Sequence, residues 1–492
     1  MGYTKKVIRG TGLVFAASIF AAGLGYVTRV LFARNLSPEQ FGLFYAVMSF
    51  AGFFMGFKAL GLNVAATKYA AEFYAKKKYQ SIKNTAAYLL LVQLLIFGAF
   101  TLVAVFFADR LAADYFKMPI AAPMLVVMCL AFLLSTLETV FASLFNGLQR
   151  PGWYASVDVL GNLAILLFAL LFFGLGISTM APAYAYLLSF AVTPLLFIVV
   201  LWKAFPEIVK AKMSFDPALL KRLFAYGIPL MVAFVGMSIT GYFATMTLTY
   251  FRTLTEVGLY NVALPVAGGL RYFSKAASTI VMPLSSELHS IGHPEFRKGV
   301  TRLQKYTFLI ITPVALGVAV YSTMILNILF GHDYAGASLA LQVLSIGIVP
   351  LTVATINTNI LLGIGKSKLN AKCLMLTAIV ALVVTVALVP AFGIVGAAVA
   401  ATLSNVVMFI YAGWAVRKHL DSHVPYRAWL KSLVAGVLFL VVAYGLKGIL
   451  PLPALLEASI VCVVAGLAYV AALLVLRAVT VGEIRKVVRI VF

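Results

Sequence analysis

The sequence predicts an all-α integral membrane protein of about fourteen transmembrane helices. They are expected as two six-helix lobes, related by a pseudo-twofold axis along the membrane normal, plus two C-terminal helices. Three observations carry this expectation. The 492 residues are 63% hydrophobic and 11% charged, with a mean hydropathy of +1.04; a soluble domain is about 45–50% apolar and about 25% charged. The apolar residues fall in stretches of about 20 or more, long enough to cross about 30 Å of hydrocarbon as helix. Lys and Arg gather in alternate gaps between those stretches.

The first stretch, 11–33, follows Lys5, Lys6 and Arg9 and is too long for the apolar core of a cleavable signal. Stretches at 41–63, 84–107, 119–143, 154–175 and 180–202 complete a first set of six. A polar interval follows, and a second set occupies 223–250, 257–283, 304–330, 337–362, 370–390 and 392–416. A final pair lies at 428–449 and 455–477. Each is helical, because only helices and closed barrels satisfy their backbone in lipid and these segments are too long for barrel strands. The expected organisation is an N-lobe at 1–203, a cytoplasmic linker at 204–222, a C-lobe at 223–416 and a C-terminal helix pair with its tail at 417–492. No gap is long enough for a soluble domain, so the chemistry belongs within the membrane. A membrane enzyme with a sizeable outer catalytic loop does not fit.

The net charge of +23 superficially suggests nucleic acid. The basic residues form short clusters between apolar segments, however, rather than one soluble face. Odd-numbered gaps hold five of them: Arg34, Arg110, Lys117, Arg252 and Lys447. The even-numbered gaps and the termini hold about 29 of the 38, among them Lys76-Lys77-Lys78, Lys210, Lys212, Lys366 and Lys368. The positive-inside rule then puts both termini in the cytoplasm, with the protein in a plasma or inner membrane. Cys129, Cys373 and Cys462 have no metal or disulfide spacing. His289 and His293, near Glu287 and Glu295, read as a solvated loop. Neither a cofactor nor a metal is expected, nor a catalytic residue.

Two short motifs recur. Arg34-Asn35-Leu36-Ser37 before Gly42-Leu43-Phe44 matches Arg252-Thr253-Leu254-Thr255 before Gly258-Leu259-Tyr260. Gly147-Leu148-Gln149-Arg150 matches Gly363-Ile364-Gly365-Lys366. The offset is about 216 residues in each case, the mark of an internal repeat. Six spans per half give the copies the same orientation.

Four cations sit inside apolar stretches: Arg29, Lys58, Arg271 and Lys275. A lone Arg or Lys at mid-bilayer costs roughly 2.5–3.5 kcal/mol, so such groups face a water-filled path or a partner. Lys58 and Lys275 lie 217 residues apart, each followed by Ala, and Arg271 is one turn before Lys275. The set suits a cavity for an anionic cargo, Arg271 gripping bidentately and the lysines acting as point charges. The alternative is snorkelling, open to Arg29 toward the outer end of its span and Lys58 near the inner end of its own. Glu138 and Asp158 are the acidic residues within spans, candidates for ion coupling or structural pairing. Among the intramembrane amides, which include Gln93 and Asn162, Asn357 and Asn359 lie mid-span beside Thr352, Thr355 and Thr358 and are candidates for glycan contact or helix bridging. Pro265 with Gly268-Gly269, just before Arg271, marks a hinge or a static kink.

A basic N-terminus, a glycine-rich first span and Arg34-Asn35-Leu36-Ser37-Pro38-Glu39-Gln40-Phe41-Gly42-Leu43-Phe44 resemble the polysaccharide and lipid-linked oligosaccharide flippases. Gly61-Leu62-Asn63 with Lys68-Tyr69, and the stretch from Gly147 to Pro151, fit the same family. It lies in the multidrug/oligosaccharidyl-lipid/polysaccharide exporter superfamily, and the resemblance covers roughly residues 5–420. It implies two six-helix lobes working by alternating access around a cationic central cavity. The implied partner is a polyprenyl-phosphate or polyprenyl-pyrophosphate linked glycan, moved by a monomer from the cytoplasmic to the outer leaflet, with no nucleic acid involved. The two extra C-terminal spans favour this branch over the drug exporters. A cation-coupled multidrug exporter and a peptidoglycan-precursor flippase remain alternatives.

Overall fold

The computed structural model describes residues 3–58, 60–271, 278, 281–282, 284–288, 295–449 and 451–479. Among them every regular element is helical. The helices of the first half are α1 (Tyr3–Asn35), α2 (Pro38–Lys58), α3 (Leu62–Ala75), α4 (Tyr79–Phe106), α5 (Ala108–Asp114), α6 (Ala121–Gly147), α7 (Pro151–Gly174) and α8 (Ala181–Ala204). Then come α9 (Pro206–Lys210), α10 (Pro217–Phe251), α11 (Leu254–Gly269), α12 (Phe296–Val320), α13 (Ser322–Leu329), α14 (Ser338–Gly363), α15 (Ser367–Leu420), α16 (Tyr426–Leu446) and α17 (Ala454–Val475).

The chain packs as two compact units, Met1–Gly258 and Leu259–Phe492. In the first, α1 lies along α7, α7 along α8, α6 against α8, α4 and α3, and α10 along α2. In the second, α14 packs on α15, α12 on α14 and α16, and α16 on α17. The Tyr469 hydroxyl ties the C-terminal pair down, meeting Ser432 at 2.6 Å and donating to the Leu309 carbonyl of α12 at 2.9 Å.

Eleven helices among the described residues are long and apolar enough to cross a membrane, or up to twelve if α10, bent by 44°, is one span. The range given for α15 holds two helices that meet at a kink at Gly393, with φ 53° and ψ −131°, in keeping with the expected spans 370–390 and 392–416; Cys373 Sγ lies 3.7 Å from the Met408 carbonyl, so the two fold back on each other. That region of backbone space is open essentially to glycine alone. The expected span 257–283 opens as α11 and passes into residues outside the described set. The second expected span, 41–63, differs from the structure. Its helix stops at Lys58 and restarts at Leu62, because Gly61 takes φ 73° and its Cα approaches the Gly227 backbone of α10, whose oxygen would lie 2.2 Å from an added Cβ. The 204–222 linker is also more ordered than its polarity suggests. Lys83 donates to the Val209 and Ala211 carbonyls at 2.7 and 2.8 Å, holding the end of α9 against α4.

The repeat is visible in local chemistry. At the start of α2, the Ser37 amide donates to Gln40 Oε1 at 3.1 Å and the Gln40 amide to Ser37 Oγ at 3.2 Å, a reciprocal capping box. At α11 the Glu256 amide donates to Thr253 Oγ1 at 3.3 Å, 216 residues on. Gln149 and Gly365 both take positive φ, with Arg150 N–H donating to Phe145 O and Lys366 N–H to Leu361 O, so α6 and α14 end in the same motif. These caps correct the first motif's register: Ser37 pairs with Thr253, so Arg34 and Arg252, 218 apart, are not equivalents. Lys58 and Lys275, 217 apart, are one residue out of the same register.

Candidate functional site

The intramembrane charges singled out in the first unit fall into two groups. In one, the Arg29 guanidinium of α1 lies over the Tyr45 ring of α2, 4.4 Å from its centroid. Tyr26 and Tyr186 are within Coulombic range of the same cation, and Tyr186 of α8 meets Phe44 at 5.8 Å between centroids. Arg29 is half-buried against this aromatic wall. A cation over an aromatic face gains about 0.5–2 kcal/mol.

The second group follows from helix register. Phe54 of α2 stacks on Phe100 of α4, with centroids 4.2 Å apart, and Phe97 meets Phe132 of α6 at 6.5 Å. One turn further along each helix come Lys58, Gln93 and Ser135, which therefore share a level. Lys58 is only 3% exposed, and its ammonium donates to Ser135 Oγ at 3.1 Å. Ser135 in turn donates to the Phe132 carbonyl at 2.6 Å. Glu138, one turn along α6, accepts from the Thr193 hydroxyl of α8 and lies within Coulombic reach of both Lys58 and Asp158. The Asp158 side chain is exposed on α7. Gln93 is 0% exposed, and neither of its amide atoms has a partner. Three residues singled out from sequence for two different roles, Lys58, Glu138 and Asp158, thus belong to one polar set. Ser135, Thr193 and Ser189 were missed as parts of it. The available signal was hydroxyl residues at helical spacing in spans that otherwise read as lipid-facing.

In the second unit Asn357 is 0% exposed, and its Oδ1 accepts from Gln304 Nε2 at 2.7 Å. The remaining atoms of that pair, Gln304 Oε1 and Asn357 Nδ2, are unpartnered. Asn359 donates to Ser278 Oγ at 3.0 Å and to the Thr355 carbonyl at 2.7 Å. Both asparagines bridge segments of the protein here. Arg271 follows the end of α11 with an exposed side chain. Lys275, His289 and His293 lie outside the described residues. Among the described residues there is no group of three or more His, Cys, Asp or Glu able to hold a metal.

The family model described as polysaccharide biosynthesis protein matches residues 7–289. An uncharacterized membrane protein of Methanocaldococcus jannaschii is 30% identical over 464 residues, covering 92% of each chain. A protein of Haloferax volcanii, named as a probable low-salt glycan biosynthesis flippase, is 25% identical over 433 residues, 87% of this chain and 88% of its own. In structure, the lipid II flippase MurJ in an inward closed conformation superposes with a TM-score of 0.75, at 18% identity, over 94% of this chain and 97% of that one. The chain belongs to the polysaccharide biosynthesis protein family.

Proposed function

We propose that the protein moves an anionic polyprenyl-linked oligosaccharide from the cytoplasmic to the outer leaflet by alternating access. The six-span halves at 1–203 and 223–416 rock about a cationic central cavity. The observation that carries the reading is the charge held within its apolar spans: Arg29 half-buried on an aromatic wall, Lys58 buried on Ser135, and Arg271 exposed beside the end of α11. Cations placed so suit a phosphate or pyrophosphate, which takes charge-assisted hydrogen bonds from Arg and Lys. Arg29, Lys58, Arg271 and Lys275 hold the anionic head group, Lys58 once released from Ser135. Asn357 and Asn359 reach glycan hydroxyls only when the bridges to Gln304 and Ser278 open. A cationic-drug exporter is less well served, since Glu138 and Asp158 are the acidic groups within spans and Glu138 is engaged by Thr193. The named function of the Haloferax relative supports a glycan cargo.

The test is leaflet transfer of a fluorescent polyprenyl pyrophosphate oligosaccharide in proteoliposomes, with labelled lipid II and a cationic dye as competing cargoes. Wild type is expected to move the oligosaccharide lipid. The Arg271→Ala, Lys275→Ala double variant should lose at least about tenfold in rate, the loss of one charged hydrogen bond being worth about 1.5–3 kcal/mol. An unchanged rate in that variant overturns the cationic site. Preference for lipid II assigns the peptidoglycan-precursor alternative, and transport of the dye alone assigns the drug exporter.

A further inference from the structure

We propose that Glu138 is a proton-binding residue, and that its protonation state decides whether Lys58 is held inside the first unit or released to an anionic head group. The second half of that statement rests on the anionic cargo proposed above; the first does not.

The geometry begins with Lys58. Its ammonium is 3% exposed and bonded to Ser135, and a cation so buried needs a counter-charge to stay where it is. The counter-charge is Glu138, one turn from Ser135 on the same face of α6. The elements packed around them offer one other charge. α7 brings Asp158, within Coulombic range of Glu138. α4 presents the neutral Gln93, α8 presents Ser189 and Thr193, and α10 presents Ser238 at Gly56.

Thr193 makes the site fit both forms of Glu138. Its hydroxyl has one proton and two acceptors in range, the Glu138 carboxyl and the Ser189 carbonyl at 2.8 Å. When Glu138 is a carboxylate, it takes the Thr193 proton and balances Lys58. When Glu138 is a carboxylic acid, it donates to Thr193 Oγ1, and Thr193 donates to Ser189. No hydrogen bond is lost between the two forms. The step is a single proton transfer from water onto a Glu138 oxygen; no other bond is made or broken. The ammonium of Lys58 then loses its counter-charge. A buried, unpaired ammonium is unfavourable, so protonation drives Lys58 toward water or toward an anion. Gln93, fully buried with both amide atoms unpaired on the same level, shows that this layer holds polar capacity left unused in the arrangement seen.

Glu138 and the cargo therefore compete for one lysine, and cargo binding is linked to proton uptake. One linked proton changes the apparent Kd by at most about tenfold per pH unit. Two readouts on the full chain in nanodiscs test this. The first needs no cargo: labelling of Lys58 by a water-soluble amine reagent at one fixed pH, normalised to Lys76 and read by mass spectrometry. Glu138→Gln, which mimics the neutral acid, should raise labelling of Lys58 severalfold. Glu138→Asp, which keeps the carboxylate, should not. Equal labelling in wild type and Glu138→Gln overturns the proposal. The second is binding of farnesyl pyrophosphate across pH. Wild type should bind more tightly as pH falls, while Glu138→Gln should bind tightly with a flat profile. A pH dependence that persists in Glu138→Gln overturns the linkage. Absence of binding by wild type at every pH counts against the anionic cargo, while the labelling result still decides the proton site.

Discussion

At the scale of single residues, the polar groups are fixed by partners that no sequence pattern announces. Arg29 was open to two readings because its position along α1 allows its side chain either to reach the interface or to stay inside. The Tyr45 ring that the guanidinium lies over belongs to another helix, which no pattern along α1 announces. The same is true of Asn357, whose mid-span position suggested a cargo contact but whose amide is engaged by Gln304. The contrast between ring and hydroxyl makes the Arg29 contact testable. Tyr45→Phe keeps the aromatic face under the guanidinium but removes the hydroxyl that hydrogen-bonds Arg29, and should lower the melting temperature of the purified protein by only a few degrees. Tyr45→Ala removes the face from a residue that is 4% exposed and opens a cavity, at a cost of about 3–5 kcal/mol by analogy with other large-to-small aromatic changes. It should lower the melting temperature clearly and reduce transport. Equal melting temperatures for the two variants would show that Arg29 is held by something other than the ring.

Individual helices were the most legible level. A stretch such as 154–175 or 180–202 is apolar on every side, and lipid leaves helix as its solution; α7 and α8 follow those limits within a few residues. The breaks were harder to read. Residues 59–61, Ala-Leu-Gly, continue the apolar pattern, and the interruption after Lys58 is imposed by the close approach of α10. The split between 390 and 392 was legible: two helices meet at a kink at Gly393 and fold back on each other, bringing Cys373 Sγ to 3.7 Å from the Met408 carbonyl. The internal repeat was legible as an offset but not in its register, since Arg34 and Arg252 are similar letters in unlike places. The capping hydroxyls at Ser37 and Thr253 set the alignment because each must reach an amide three residues on. Gly393 carries the prediction at this scale. Its φ of 53° with ψ −131° is strained for any side chain, so Gly393→Ala should cost about 1–3 kcal/mol. Thermal unfolding in detergent should register this. Gly299→Ala, in a helix position where an added Cβ meets nothing within 4 Å, should be neutral or slightly stabilising. A Gly393→Ala protein as stable as the Gly299→Ala protein would mean that the turn relaxes without cost.

For the whole molecule, the distribution of charge has to serve two ends, orientation and cargo. About 29 basic residues at the even-numbered gaps and termini, against about five at the odd-numbered gaps, carry the orientation proposed from the sequence. The intramembrane four are too few to alter it, which is why the two roles separate in the sequence. Hydropathy also says nothing of which polar residues meet across helices, and the Lys58–Glu138 layer came into view only in three dimensions. The orientation has a direct check. Single cysteines in place of Arg110 and Lys117, in a background lacking Cys129, Cys373 and Cys462, should react with an impermeant maleimide added outside intact cells. Cysteines in place of Lys78 and Lys212 should react only after the membrane is opened. Arg110 is 78% exposed on its side chain, so access to it is limited by the membrane and not by packing. The reverse pattern would invert the molecule and, with it, the direction of transport. An inside-negative potential favours outward movement of a negative head group by about 2.3 kcal/mol per charge per 100 mV. In the predicted orientation that field assists export, and in the opposite one it would oppose it. Proteoliposomes in which the cysteine pattern has established orientation should therefore transfer the anionic lipid faster when a potassium diffusion potential makes the cytoplasmic side negative. A rate indifferent to the sign of that potential would show that the head group crosses with its charge already neutralised, by the protein's cations or by an accompanying proton.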